Sequence, residues 1–341
     1  MSTRQEEINN FIINNIDKHP NDIAKFTAQN FNISVQAVNS YIRNLSAKNV
    51  LTSSGNTKAR RYKLRSDTHY FTYELKPGIS ESNIWNKDIQ QYMPTKDNVR
   101  RIWEYGFTEM FNNAIDHSEG TKIYVEIVVD ALKTQLYIID NGIGIFRKLK
   151  NKFNLLNEHE AILELSKGKL TTDRVHHTGE GIFFTSRAFD LFFIVSHGVA
   201  FTHNDKSKKY TDVLFDNLNY DNSGTLVYMA LNNDSARNLS DVFNMFAGDD
   251  YGFDKTVIPI NLARYGDDNL VSRSQAKRVL ARVQLFKHVV FDFAGVPQIG
   301  QAFADEIFRV FHSENPNIEL EYINANENVI NMIKRAQVSN I

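Results

Sequence analysis

Apolar residues in the first fifty positions recur with a helical period. Ile8, Phe11, Ile12 and Ile16 fall at i, i+3, i+4 and i+8, which is one face of a helix. His19-Pro20-Asn21-Asp22 breaks that helix and offers caps for a second over 22–30. Asn32-Ile33-Ser34 forms a tight turn with Ser34 as N-cap, and a third helix follows with Val38, Tyr41, Ile42 and Leu45 apolar. Val50-Leu51-Thr52, the turn-rich Ser53-Ser54-Gly55-Asn56 and the basic run 58–65 predict a β-hairpin.

The pattern then changes. A strand is expected at 70–73, a Pro/Gly/Ser linker with a short helix up to 98, and a long helix over 97–117. Alternating apolar residues predict strands at 122–129 and 134–140. Residues 146–178 are polar and irregular, with one helical stretch near 158–167. A glycine-opened helix is expected at 179–190, and strands at 191–199, 211–216 and 225–231. From about residue 250 strand and helix alternate: strands 256–262, 288–293 and 318–323, helices 272–284, 298–313 and 326–336. No internal repeat is present.

A chain of 341 residues suggests two or three domains. Hydrophobic residues at 42% and charged residues at 23% are ordinary globular usage, which argues against wholesale disorder. The absence of cysteine excludes disulfides, thiol catalysis and cysteine-ligated zinc or iron–sulfur centres. No apolar run approaches the ~18 residues of a membrane span, and the N-terminus lacks the apolar stretch of a signal peptide. The expectation is a cytoplasmic protein with no membrane partner. Residues 1–65 hold ten Lys/Arg against four acids, although the whole chain carries −1. A basic end on an acidic body points to an anionic partner for that end alone.

Three islands carry candidate chemistry. In Glu109-Met110-Phe111-Asn112-Asn113-Ala114-Ile115-Asp116-His117, the residues Glu109, Asn113 and His117 share one helical face, with Asp116 close to it. Asp140-Asn141-Gly142-Ile143-Gly144-Ile145 follows an apolar strand, and Gly179-Glu180-Gly181-Ile182-Phe183 opens a helix. A weaker fourth is Ser223-Gly224-Thr225. Asn113 offers a neutral oxygen to Mg²⁺ that also needs phosphate oxygens and water. Glu109 could take a proton from a hydroxyl attacking a γ-phosphate. Ionised Asp140 only accepts hydrogen bonds, so it suits an adenine amino group and not a guanine oxygen. Gly142 and Gly144 permit close backbone approach. Gly179 and Gly181 leave N–H groups free for phosphates at a helix start.

Together these islands resemble the GHKL ATPase superfamily: gyrase B subunits, the large heat-shock chaperone, histidine kinases and MutL. The match covers 70–232. It implies the Bergerat fold, a mixed sheet with helices on one face and a nucleotide lid, here about 146–178. By this resemblance Glu109 and Asn113 form the N-box, Asp140, Gly142 and Gly144 the adenine box, Gly179 and Gly181 the glycine box, and Thr225 the Gly-Thr element. The N-box wording is similar to anti-sigma-factor serine kinases, while Asp116 also fits the gyrase-type ATPases. Hydrolysis and phosphoryl transfer to protein therefore both stay open. The phosphoacceptor box of classical histidine kinases is absent.

The first 60 or so residues resemble a winged helix-turn-helix. In that family the third helix enters the DNA major groove and the wing meets backbone phosphate. This places Ser34, Gln36, Asn39, Ser40 and Arg43 on the exposed recognition face and Lys58, Arg60, Arg61 and Lys63 on the wing. A protein-binding or dimerising module is the alternative. The last 90 or so residues resemble a STAS-like domain, the fold of anti-sigma-factor antagonists. Those antagonists accept phosphate on a hydroxyl near a helix start, where this chain has Gln301-Ala302-Phe303. That departure predicts a docking or dimerisation role and no stable phosphate.

The expectation is an α+β multidomain protein: winged helix at 1–68, ATP-binding α/β sandwich at 69–245, STAS-like domain at 246–341. It would bind ATP and Mg²⁺, couple lid closure to a regulatory output at DNA, and use Glu109 as general base. The alternatives are a serine/threonine kinase acting on another protein and a non-hydrolysing, ATP-gated partner-switching scaffold. The STAS-like domain would contact a protein partner, a second copy of the chain, or the nucleotide domain and its lid.

Overall fold

The computed structural model describes residues 3–56, 59–171, 178–204, 212–215, 224–264 and 269–338. Candidate Lys58 lies outside the described residues.

Helix α1 (Arg4–Asn15) starts in a capping box between Thr3 and Glu6, α2 (Ile23–Phe31) ends at left-handed Asn32, and α3 (Val35–Ala47) follows. Ser34 caps α3, its Oγ accepting the Ala37 N–H at 3.1 Å. Ser34 is thus the N-cap expected from sequence, and it remains exposed on the helix start. Strands β1 (Leu51–Ser54) and β2 (Arg61–Leu64) form an antiparallel pair. The periodic positions Ile8, Ile12, Ile16, Val38, Ile42 and Leu45 close with Leu51 and Leu64 into a separate small core. Leu132, from the adjoining domain, packs against it.

Only Arg65 and Ser66 separate β2 from β3 (Asp67–Glu74). Then come α4 (Glu81–Ile84), a π-turn over Trp85–Ile89, α5 (Asp97–His117), β4 (Lys122–Val129) and β5 (Lys133–Asp140). Helices α6 (Ile145–Phe153), α7 (Glu158–Lys167) and α8 (Gly181–Ala188) precede β6 (Leu191–Ser196), β7 (Val199–Asn204), β8 (Asp212–Phe215), β9 (Leu226–Asn232) and α9 (Leu239–Asn244). The strands form one seven-stranded sheet in the order β3-β4-β5-β9-β6-β7-β8. Ile123, Val125, Ile127, Leu136, Ile138, Phe192, Ile194 and Met229 are buried at alternate positions, under the helices.

Three expectations need correction here. Every described pairing in the sheet is antiparallel, not mixed. Strands β5 and β6 do run in the same direction, but β9 returns between them and pairs with both. The single strand expected at 191–199 is a hairpin instead: His197 and Gly198 both take positive φ (50° and 75°), as a two-residue turn between twisted strands requires. The start of the segment expected to be irregular is α6, whose Phe146 and Leu149 are buried while Arg147 and Lys152 are exposed.

The last part has three parallel strands, β10 (Lys255–Pro259), β11 (His288–Asp292) and β12 (Glu319–Ile323), in chain order. Helix α10 (Arg273–Leu280) crosses between the first two. The second crossover is α11 (Gln301–Asp305), a π-turn over Glu306–Phe311 and α12 (His312–Glu314); α13 (Glu327–Val338) follows β12. This layer shares one continuous core with the seven-stranded domain. Phe253 joins them, its ring 4.6 Å from Phe183, 4.9 Å from Phe184 and 5.3 Å from Phe286. Among the described residues no helix is long and apolar enough to cross a membrane.

Candidate functional site

Helix α5 buries Val99, Ile102, Trp103, Phe107, Met110, Phe111 and Ala114 against the sheet. That stripe leaves Glu109, Asn113 and His117 on its flank, where they line a cavity of about 260 Å³. Asp140 at the end of β5, Thr225 before β9, and Gly179 and Gly181 before and at the start of α8 line the same cavity. Six of the eight nucleotide-site candidates therefore converge on one concavity. They come from four separate parts of the chain.

Gly142 and Gly144 do not line it; they shape its frame. A Cβ at Gly142 would collide with the Ser118 carbonyl, and Gly144, at φ +82°, would meet Ser196 and His197. The Ile143 N–H donates to Ser118 O at 2.9 Å, tying the turn to the end of α5. Asp116 is exposed and does not line the cavity, so it is not grouped with Glu109 and Asn113.

Asp140 is 7% exposed. Its Oδ1 accepts the Gly142 N–H at 2.8 Å and the Thr225 N–H at 3.2 Å. An ionised carboxylate has about four acceptor sites, so capacity remains for a donor in the cavity. Burial raises its pKa, opposed by the backbone donors of Gly142 and Thr225 and by the Thr225 hydroxyl. The hydroxyl of Thr225 also accepts the Ile145 N–H at 3.0 Å and so fixes the start of α6. Asp140 binds a proton more readily in the folded than in the unfolded chain. Its contribution to stability falls as pH rises from the ordinary carboxylate range through the raised folded value. Asp140→Asn should thus match or exceed wild type in Tm at pH 7, with the advantage shrinking toward pH 4. If the cavity takes an adenine nucleotide, as expected from sequence, the same variant should lose ATP affinity by about 1–3 kcal/mol, because an amide can present a donor where an acceptor is needed. Thermal melts at both pH values and equilibrium ATP titration check the two halves.

Glu109 lies against the start of α8: a Cβ added at Gly181 would collide with its Oε2. A larger residue there would have to displace the Glu109 carboxylate from the start of α8. Tyr105, one turn before Glu109, has its pKa raised by burial and then by Glu109 and Glu180. Burial also raises Glu180. Among the described residues no group of three or more His, Asp or Glu could cage a metal ion. A single Asn oxygen beside a ligand's own oxygens suits Mg²⁺, which keeps several waters and is rarely caged by protein alone.

Sequence reasoning expected 146–178 at the site as a lid but singled out none of the residues that form the opposite wall. Ile145, Lys148 and Leu149 of α6 and Leu165, Leu170 and Thr171 from α7 and its exit also line the cavity. Lys148 Nζ donates to His117 O at 2.8 Å and pairs with Glu119 at 2.9 Å. The spacing Ile145, Phe146, Leu149, Phe153 was the available signal, hidden among four cations. Ile138, Ile194 and Val227 form an apolar floor.

At the other end, Gln36, Asn39, Ser40 and Arg43 are exposed on α3, opposite its buried Val38 and Ile42. Arg60, Arg61 and Lys63 are exposed on the hairpin. Arg61 Nε also donates to Asn21 Oδ1 at 3.1 Å, and Tyr62 N to Pro20 O at 2.8 Å, so the hairpin is fastened to the turn before α2. In the last layer, α11 begins at Gly300-Gln301 with no hydroxyl, and Ser272 caps α10 by accepting the Gln275 N–H.

A family model described as a STAS-like domain of unknown function (DUF4325) matches residues 275–329. The C-terminal layer is therefore STAS-like. No curated protein matches the chain.

Proposed function

We propose that the chain is an ATP·Mg²⁺-binding protein of GHKL type whose nucleotide state is coupled to a DNA-facing winged helix. The observation that supports this reading is the convergence of Glu109, Asn113, Asp140, Gly179, Gly181 and Thr225 on one cavity. In this reading Asp140 accepts a hydrogen bond from the adenine amino group, and Ile138, Ile194, Val227 and Leu149 enclose the base. The N–H groups at the start of α8 hold phosphate oxygens. Asn113 would hold Mg²⁺, which supplies neutralisation of phosphate charge. Glu109 takes a proton from the water that attacks the γ-phosphorus. The new O–P bond forms as the β–γ bridging bond breaks, and ADP leaves.

Titration with ATP·Mg²⁺ and GTP·Mg²⁺ tests the reading: ATP should bind and GTP should not compete. Release of free phosphate from γ-labelled ATP, against label retained on protein, separates hydrolysis from kinase activity. Absence of ATP binding by the folded chain would end the proposal.

The DNA half rests on the exposed polar face of α3 and the exposed cations of the hairpin. Neutralising Arg60, Arg61 and Lys63 should weaken DNA binding on every sequence. It should also flatten the log affinity against log salt line by about 0.9 per lost phosphate contact. Substituting Gln36, Asn39 or Arg43 should instead change sequence preference. Filter retention across a salt series reads both. No retention at low salt, with or without ATP, would leave a protein-interaction module.

A further inference from the structure

Helix α7 has buried residues all round, from Glu160 to Lys167. Charged residues so enclosed need partners, and here they pair both within α7 and with the STAS-like layer. Lys167 is 0% exposed, and its ammonium donates to Glu164 Oε1 at 2.6 Å, Ala281 O at 2.9 Å and Arg278 O at 3.1 Å. Arg282, left-handed at φ 64°, donates through Nη1 to Glu164 Oε2 and through Nη2 to Gly168 O, both at 2.7 Å. Arg278 pairs with Glu160 at 3.4 Å, and the Thr256 hydroxyl donates to Lys167 O at 2.7 Å. Lys169 Nζ donates to Leu285 O at 2.9 Å. The C-terminal end of α10 and the turn after it thus grip the C-terminal end of α7.

That end of α7 leads directly to the cavity. Two residues beyond Gly168, Leu170 lines the cavity and donates its N–H to Gly179 O at 3.3 Å. Gly168 itself has φ +81° and no room for a Cβ beside Phe253 and Phe183. The grip therefore sets the backbone that carries Leu170, and Leu170 is bonded to the glycine segment that opens α8.

We infer that the STAS-like layer regulates the nucleotide site in cis, with Arg282 and Lys167 as positioning residues that hold α7 and the Gly179–Gly181 segment in the binding geometry. This rests on the nucleotide reading above. A change in the 278–285 turn changes nucleotide affinity, and nucleotide in turn stiffens that turn, since coupling between sites is reciprocal.

The test uses the full chain, Arg282→Ala and the milder Arg282→Lys, which keeps the charge but loses the fork that reaches Glu164 and Gly168 together. Equilibrium ATP·Mg²⁺ binding and amide hydrogen exchange are measured on each, with β11 amides as the folding control. Affinity should fall by ~5–150-fold in Arg282→Ala and by less in Arg282→Lys. ATP·Mg²⁺ should slow exchange across 278–285 in wild type and not in Arg282→Ala, which a purely structural contact would not produce. Wild-type affinity in folded Arg282→Ala, or no ligand effect at 278–285, overturns the inference. If wild type binds no ATP·Mg²⁺, the nucleotide reading fails separately. The grip is then judged on exchange alone: about tenfold faster exchange at 164–171 and 178–181 in Arg282→Ala supports it, and unchanged exchange overturns it.

Discussion

On the proposed ATPase reading, Glu109→Gln should lower ATP turnover by ~10²–10⁴-fold while leaving ATP·Mg²⁺ affinity within a few-fold of wild type. The substitution is nearly isosteric, so the side chain still fills the space beside Gly181 that a Cβ would otherwise take. What it removes is the ability to accept a proton. Glu109 sits one helical turn before Asn113 and faces the start of α8, so its carboxylate is on the side of the cavity where a terminal phosphate would be held. Asn113→Ala should behave in the opposite way, losing Mg²⁺-dependent binding first. Phosphate release under saturating ATP, paired with equilibrium binding, separates the two. Undiminished turnover in Glu109→Gln would remove Glu109 as the base.

The second large effect is on stability. Glu164→Ala should cost about 3–5 kcal/mol, because it leaves the buried Lys167 ammonium and the Arg282 guanidinium without the carboxylate they share. For a body of this size that lowers Tm by roughly 5–9 °C. Burial already lowers the Lys167 pKa from its usual 10.5, and Glu164 opposes that shift. Without Glu164 the folded chain releases the proton more readily, while the unfolded chain keeps it until about 10.5. Stability of the variant should therefore rise with pH through the interval between the lowered value and 10.5. Melts at pH 6 and pH 9.5 should show the larger deficit at pH 6. A uniform or negligible deficit would mean that the pair contributes little beyond packing.

Periodic elements with a single buried face were legible from sequence. Helix α5 was expected over about 97–117, as observed, because its apolar stripe runs unbroken, and Ser34 announced α3. Six of the cavity residues were legible because their types, order and spacing form a recognisable set: a carboxylate at a strand end, glycines at a helix start. Three features were not. Helix α6 hides its apolar spacing among Arg147, Lys148, Lys150 and Lys152. The β6–β7 turn uses His197, which does not advertise positive φ. Helix α7 carries Glu160, Glu164 and Lys167, which in sequence look like a solvated face. Their burial depends on Arg278 and Arg282, more than a hundred residues away, and no local pattern records such a pairing.

The burial of α7 also bears on how such a chain can be recombined. In sequence, the loop after α9 is an inviting crossover point for exchanging the STAS-like layer with that of another protein. In space, α7 belongs to both sides of that cut. A chimera joined there would inherit Glu160, Glu164 and Lys167 from one parent and the groups that neutralise them from the other. The unit that can be inherited or grafted intact is therefore residues 158–170 together with the C-terminal layer, although one lies inside the other domain's sequence. Exchange between relatives should succeed only where these two stretches travel as a matched pair.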